Sequence, residues 1–82
     1  MNKVKILFFA TLRDYVGEKS IEFEIPAGLT VKGLTDLLVI THPRLEKVKD
    51  SMIAAINREY AADEQVIPEG AEIAFFPPVS GG

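Results

Sequence analysis

The chain has 82 residues, 48% of them hydrophobic and 26% charged, with no cysteine and a formal charge of −3. This composition describes one folded domain near the lower size limit for burying a core unaided, not a disordered chain. It excludes disulfides, thiolate metal ligands and a cysteine nucleophile, and the scattered Lys and Arg supply no concentrated basic face for nucleic acid.

Residues 3–10, KVKILFFA, alternate as a first strand, with Val4, Ile6 and Phe8 on one face and Lys3, Lys5, Leu7 and Phe9 on the other. Residues 11–18, TLRDYVGE, carry Asp14 and Gly17 and read as a connection with room for a helical turn. Residues 19–25, KSIEFEI, alternate as a half-buried strand, Ile21, Phe23 and Ile25 inward and Ser20, Glu22 and Glu24 outward. Pro26-Ala27-Gly28 ends it, because proline cannot donate to a ladder and glycine accepts turn geometry.

Thr30 then caps a helix over 31–40, in which Val31, Leu34, Leu37 and Leu38 recur at helical spacing. Gly33 costs that helix about 1 kcal/mol relative to alanine, which marks it as a close approach to the sheet. The helix stops at His42-Pro43, since a residue before proline avoids the α region, and a short turn follows around Leu45 and Val48.

Residues 52–57, MIAAIN, form a third strand whose inward face stays open, because Ala54 and Ala55 are both small. Asn57 to Glu59 suits a turn, and AADEQVIPEG reads as a loop with a short extended piece over 65–67. After the turn Pro68-Glu69-Gly70, the last strand is EIAFF, 72–76, with Ile73 and Phe75 inward and Glu72, Ala74 and Phe76 outward.

Strand, strand, helix, strand, strand is an α+β order, and one helix is available to cover one apolar sheet face. The compact solution is a mixed sheet with the first and last strands parallel in the middle and the main helix packed on one face. That is the β-grasp arrangement, the fold of ubiquitin. The expected organisation is a single domain over 1–76 and an extended diglycine tail over 77–82.

Side-chain chemistry is sparse. His42 is the single histidine, with no second histidine or cysteine to share a metal or a proton. Glu22 and Glu24 project from the solvent face of one strand, and Ser20, Ser51 and Ser80 have no base at a recognisable spacing. No phosphate-loop pattern precedes a helix. No metal site and no self-sufficient enzyme are expected. The N-terminal apolar run is broken by Lys5 and lacks a cleavage site, and no stretch approaches the ~20 apolar residues of a span. The expectation is a cytoplasmic protein without a membrane partner.

Two features stand out from this background. Leu7, Phe9 and Phe76 share the sheet face away from the helix if their strands are neighbours, and Tyr60 lies near enough in the chain to join them. Such a patch marks a binding surface, whereas scattered exposure would be ordinary. The second feature is the ending FFPPVSGG. Pro77 and Pro78 end the ladder and hold the backbone extended, so that 77–82 reaches roughly 20 Å at ~3.3–3.6 Å per residue. No charged side chain follows Glu72, and glycines leave the terminal carboxylate unhindered. The alternative is a frayed terminus.

KILFFATLRDYVG, AINREY and above all IAFFPPVSGG carry a resemblance over the whole length to the small, sulfur-carrying subunit of molybdopterin synthase, the MoaD-type family of ubiquitin-like proteins. The resemblance implies that a ubiquitin-activating-type (MoeB-type) enzyme uses ATP to adenylate Gly82, and that a sulfur donor then displaces AMP to leave a thiocarboxylate. The tail would enter the large, MoaE-type subunit and give its sulfur to cyclic pyranopterin monophosphate, within a heterotetramer.

By the same resemblance Gly82 is the modified residue and Gly81 its flexible neighbour. Phe9, Tyr60 and Phe76 match the hydrophobic partner surface and Arg13 a polar contact beside it, with Pro77, Pro78, Val79 and Ser80 completing the partner-binding stretch. Tyr60 stands where an aliphatic residue is common and Ser80 where threonine is frequent. No cofactor is expected on this chain; ATP belongs to the activating enzyme. The competing readings are a sulfur carrier of the thiamine pathway, a protein modifier conjugated through Gly82, and a plain binding module with an inert tail.

Overall fold

The computed structural model describes residues 2–78. In chain order its elements are β1 (Asn2–Phe8), α1 (Thr11–Val16), β2 (Ser20–Ile25), α2 (Val31–Thr41), a 3-10 turn (Pro43–Lys47), β3 (Ile53–Ile56), β4 (Glu59–Ala61) and β5 (Glu72–Phe76). The strands form one mixed sheet in the order β2-β1-β5-β3-β4. β1 and β5 run parallel at its centre, and every other neighbouring pair is antiparallel. This is the expected β-grasp, with one strand more than the sequence pattern supplied.

The inner sheet face follows the alternation. Val4, Ile6 and Phe8 of β1 and Ile73 and Phe75 of β5 are buried with Leu34 and Leu38 of α2 in one cluster. Phe8 and Phe75 are register partners, and their rings stack with centroids 6.2 Å apart. β3 resolves its ambiguity by register. Ala54 and Ile56 pair with Phe75 and Ile73 and face the core, so Ile53 and Ala55 face outward. Ile21 and Phe23 are only half-buried because β2 is an edge strand.

The first turn of α2 has partners for its otherwise orphaned amides. Val31 N–H donates to the Gln65 carbonyl at 3.0 Å and Lys32 N–H to the Asp63 carbonyl at 3.0 Å. Gly33 N–H donates to the Thr30 hydroxyl at 3.2 Å, which makes Thr30 the cap the sequence predicted. The loop after β4 is therefore tied to the helix start, and its extended piece forms the bridge between Thr30 and Val66.

At the other end His42 caps the helix, donating its N–H to the Leu38 carbonyl at 2.6 Å. Two expectations need correction. Gly33 approaches not the sheet but Leu29: a Cβ there would meet Leu29 Cδ1 at 2.5 Å. And Glu59 to Ala61, read as the end of a turn and the start of a loop, is the additional strand, β4. Among the described residues, no helix is long and apolar enough to cross a membrane.

Candidate functional site: the open face of the sheet

α2 covers one face of the sheet, and register alone determines what the other presents. Leu7 pairs with Ala74, Ala74 with Ala55, and Ala55 with Tyr60, so these residues form one row across four strands. One step along, Phe76 pairs with Ile53, and Phe9 continues β1 beside Phe76. The Phe9 amide donates to the Phe75 carbonyl at 3.2 Å, which extends the parallel ladder past the end of β1.

The Phe9 and Phe76 rings stack with centroids 4.7 Å apart and planes 11° from parallel. One step in the other direction lie Lys5 and its two register partners, Glu22 and Glu72. The face is thus apolar toward the C-terminal end of β5 and charged toward its start.

The apolar half is concave. Phe9 and Phe76 form one wall, Tyr60 the other, and Ala74 and Ala55 the floor of a trough of about 430 Å³. Small residues in the middle of a sheet leave depth that larger side chains would fill. Tyr60 is 84% exposed, a large aromatic with nothing packed over it. Arg13 reaches the rim from α1, its guanidinium carbon 5.7 Å from the Phe9 ring centroid, and its Nε donates to the Phe8 carbonyl at 2.9 Å. The contact fixes the stem of Arg13 while its charge stays exposed.

Backbone turns hold these walls in place. After Phe9 the chain reverses with Ala10 at φ 53°, ψ −130°, and the Leu12 amide donates to the Phe9 carbonyl at 3.1 Å. That is the geometry of a type II′ turn with Ala10 at its first central position, a place that favours glycine. It starts α1 at once and brings Arg13 back over Phe9. On the far side, Asn57 and Arg58 both have positive φ and connect β3 to β4 as a two-residue hairpin closed by the pair Ile56 and Glu59. This turn places Tyr60 opposite Ala55.

Of the residues singled out from the sequence, Phe9, Arg13, Tyr60 and Phe76 therefore gather on one face. Pro77 is half-buried and Pro78 exposed just beyond β5. Val79, Ser80, Gly81 and Gly82 lie outside the described residues. Sequence reasoning missed Ala55, Arg58, Glu72 and Ala74, which also line the trough. The signal for Ala55 was alternation, which the adjacent Ala54 obscured; Glu72 and Ala74 were read as outward-facing but not as part of the patch. Arg58 was hidden because Asn-Arg lacks the glycine that usually announces a two-residue hairpin. Among the described residues, no polar or charged side chain is buried and no group of three His, Cys, Asp or Glu is placed to hold a metal ion. The shape on offer is an open, largely apolar trough at the root of the C-terminal segment.

Known proteins share both the sequence and the shape. The molybdopterin synthase sulfur carrier subunit of Arabidopsis thaliana is 35% identical over 80 residues, covering 98% of this chain and 83% of that one. Its namesake from Chlamydomonas reinhardtii is 33% identical over 82 residues, covering 98% and 99%. Among solved structures, small archaeal modifier protein 1 of Haloferax volcanii superimposes with a TM-score of 0.85 at 29% identity, over 96% of this chain and 100% of that one. A family model described as the ThiS family matches residues 6–82, the trough and the diglycine ending together, and the chain belongs to that family.

Proposed function

We propose that this protein is the sulfur carrier of a molybdopterin synthase, acting in the cytoplasm and bearing its sulfur on Gly82. The observation that carries the reading is the name shared by full-length relatives at 33–35% identity. The open face supports it, because an apolar trough beside the exit of the C-terminal segment holds a partner where the terminus is to be delivered.

In the first step the Gly82 carboxylate attacks the α-phosphorus of ATP, forming an acyl-adenylate and releasing pyrophosphate. A sulfur donor then displaces AMP, and one carboxylate oxygen leaves with it, so the terminus becomes a thiocarboxylate. In the second step the large subunit of the synthase takes that sulfur to build the dithiolene, and Gly82 returns to a carboxylate. Two sulfurs per product require two charged carriers or a recharged one. The chain's own part is to bind and to present: Phe9, Tyr60, Phe76 and Arg13 dock the partner, and Pro77 and Pro78 direct the tail. The absence of cysteine keeps the sulfur on the main-chain terminus alone.

Intact mass spectrometry after incubation with a ubiquitin-activating-type enzyme, ATP and a sulfur donor tests the chemistry. Replacement of one oxygen by sulfur, a gain of about 16 Da from the atomic masses, is the expected result; a mass that never changes rejects the carrier reading. The likeness to an archaeal modifier favours a second reading, conjugation through Gly82. It would be recognised by a Gly82–lysine isopeptide on another protein.

A further inference from the structure

Arg58 occupies the second central position of the β3–β4 hairpin at φ 74°. A two-residue hairpin of this kind needs positive φ at both central residues, and glycine meets that need without strain. For a residue with a Cβ the same conformation is strained. Asparagine is among the side chains that tolerate it best, and Asn57 fills the first position. Arginine at the second position is the locally unfavourable choice.

Among the described residues Arg58 takes part in no ion pair and no cation–π contact, unlike Lys49, Arg13 and Arg44. It is exposed, and it lines the trough beside Tyr60 and Glu72. Glu72, the carboxylate on the trough wall, stands in register with Lys5 of β1. A chain that is acidic as a whole, at −3, therefore sets two arginines around its apolar trough, against one carboxylate that has a lysine beside it.

We propose that Arg58 is a docking residue, and that the trough receives a segment of the large synthase subunit carrying an apolar side chain for the Phe9, Phe76 and Tyr60 walls and an Asp or Glu carboxylate for Arg58. This rests on the docking role given to the open face above. A guanidinium presents paired donors that match a carboxylate, whereas an ammonium supplies only a point charge. The position at the rim makes the contact salt-sensitive and gives it a share in the rate of encounter.

The experiment measures binding of the full chain to the large molybdopterin synthase subunit of the same organism, by titration calorimetry at low and high salt. It compares wild type with Arg58→Gly, Arg58→Lys, Arg58→Glu and Phe76→Asp, and thermal unfolding of each is recorded in parallel. Arg58→Gly relieves the backbone and removes the charge, so its expected signature is a higher melting temperature together with affinity lowered on the order of tenfold. Arg58→Lys should recover part of that loss and Arg58→Glu deepen it, and the salt dependence of binding should be shallower in Arg58→Gly than in wild type.

If Arg58→Gly and Arg58→Glu bind as wild type does while Phe76→Asp does not bind, the role of Arg58 is overturned and the docking face stands. If folded Phe76→Asp also binds as wild type does, the docking reading itself fails. If the wild-type chain instead self-associates and Arg58→Glu disperses it, a second copy occupies the trough and the proposed partner is wrong.

Discussion

Asn57 grips Glu72 twice: its backbone N–H donates to the Glu72 carbonyl at 2.8 Å, and its Oδ1 accepts from the Glu72 N–H at 3.0 Å. The two residues are 15 apart in sequence. The first opens the β3–β4 turn and the second starts β5, so one side chain joins the strand that carries Phe76 to the hairpin that carries Tyr60. Asn57 also sits at φ 48°, where its short amide is better tolerated than most side chains.

Replacing Asn57 by alanine removes the side-chain acceptor and leaves a less suitable residue at positive φ. The expected loss is about 1–2 kcal/mol. Urea unfolding should show a lower midpoint with an unchanged slope, and Asn57→Gly should lose less because glycine keeps the turn.

Ala10 offers the opposite result. Its φ of 53° and ψ of −130° suit glycine, and relief of that strain outweighs the added entropy of the unfolded chain. Ala10→Gly is expected to stabilise by about 0.5–1 kcal/mol, seen as a higher melting temperature. A fall would mean that the turn is not strained.

The two aromatic pairs should separate stability from binding. Phe8→Ala empties the core and is expected to cost about 3–5 kcal/mol. Phe9→Ala and Phe76→Ala remove half-buried rings from the open face, at a smaller cost in stability and a larger one in partner affinity. A double-mutant cycle on Phe9 and Phe76 should return a coupling of about 0.5–1.5 kcal/mol in unfolding free energy.

Thr30→Ala removes the hydroxyl that accepts from Gly33 N–H, with an expected cost of about 1 kcal/mol. Thr30→Ser should recover most of it. Hydrogen exchange at the Gly33 amide gives the local readout, since its neighbours Val31 and Lys32 keep their bonds to the following loop.

The fold was legible where periodicity was strong. β1, β2, α2 and β5 showed their inward faces plainly, and the parallel central pair followed from having one helix to cover one sheet. β4 was illegible because three residues are too few to show alternation, and Tyr60 and Ala61 carry no turn signal between them and the loop. The site was half legible. Phe9, Tyr60 and Phe76 announce themselves as large apolar residues with no core position, but the depth between them comes from Ala55 and Ala74, whose contribution is what they lack. Arg58 draws its interest from a backbone angle, and sequence shows no angles.

β1 and β5 both end their pairing in Phe-Phe, one ring inward and one outward on each strand. If either strand turned over, phenylalanine would still stand where phenylalanine stood, so the aromatic residues cannot tell the sheet which way up to lie. Lys3 and Lys5 make that decision. Turning β1 over would push both ammonium groups into the core in place of Val4 and Ile6. The choice of which rings face outward is thus made at the opposite end of the strand, by two lysines that have no part in the aromatic stack.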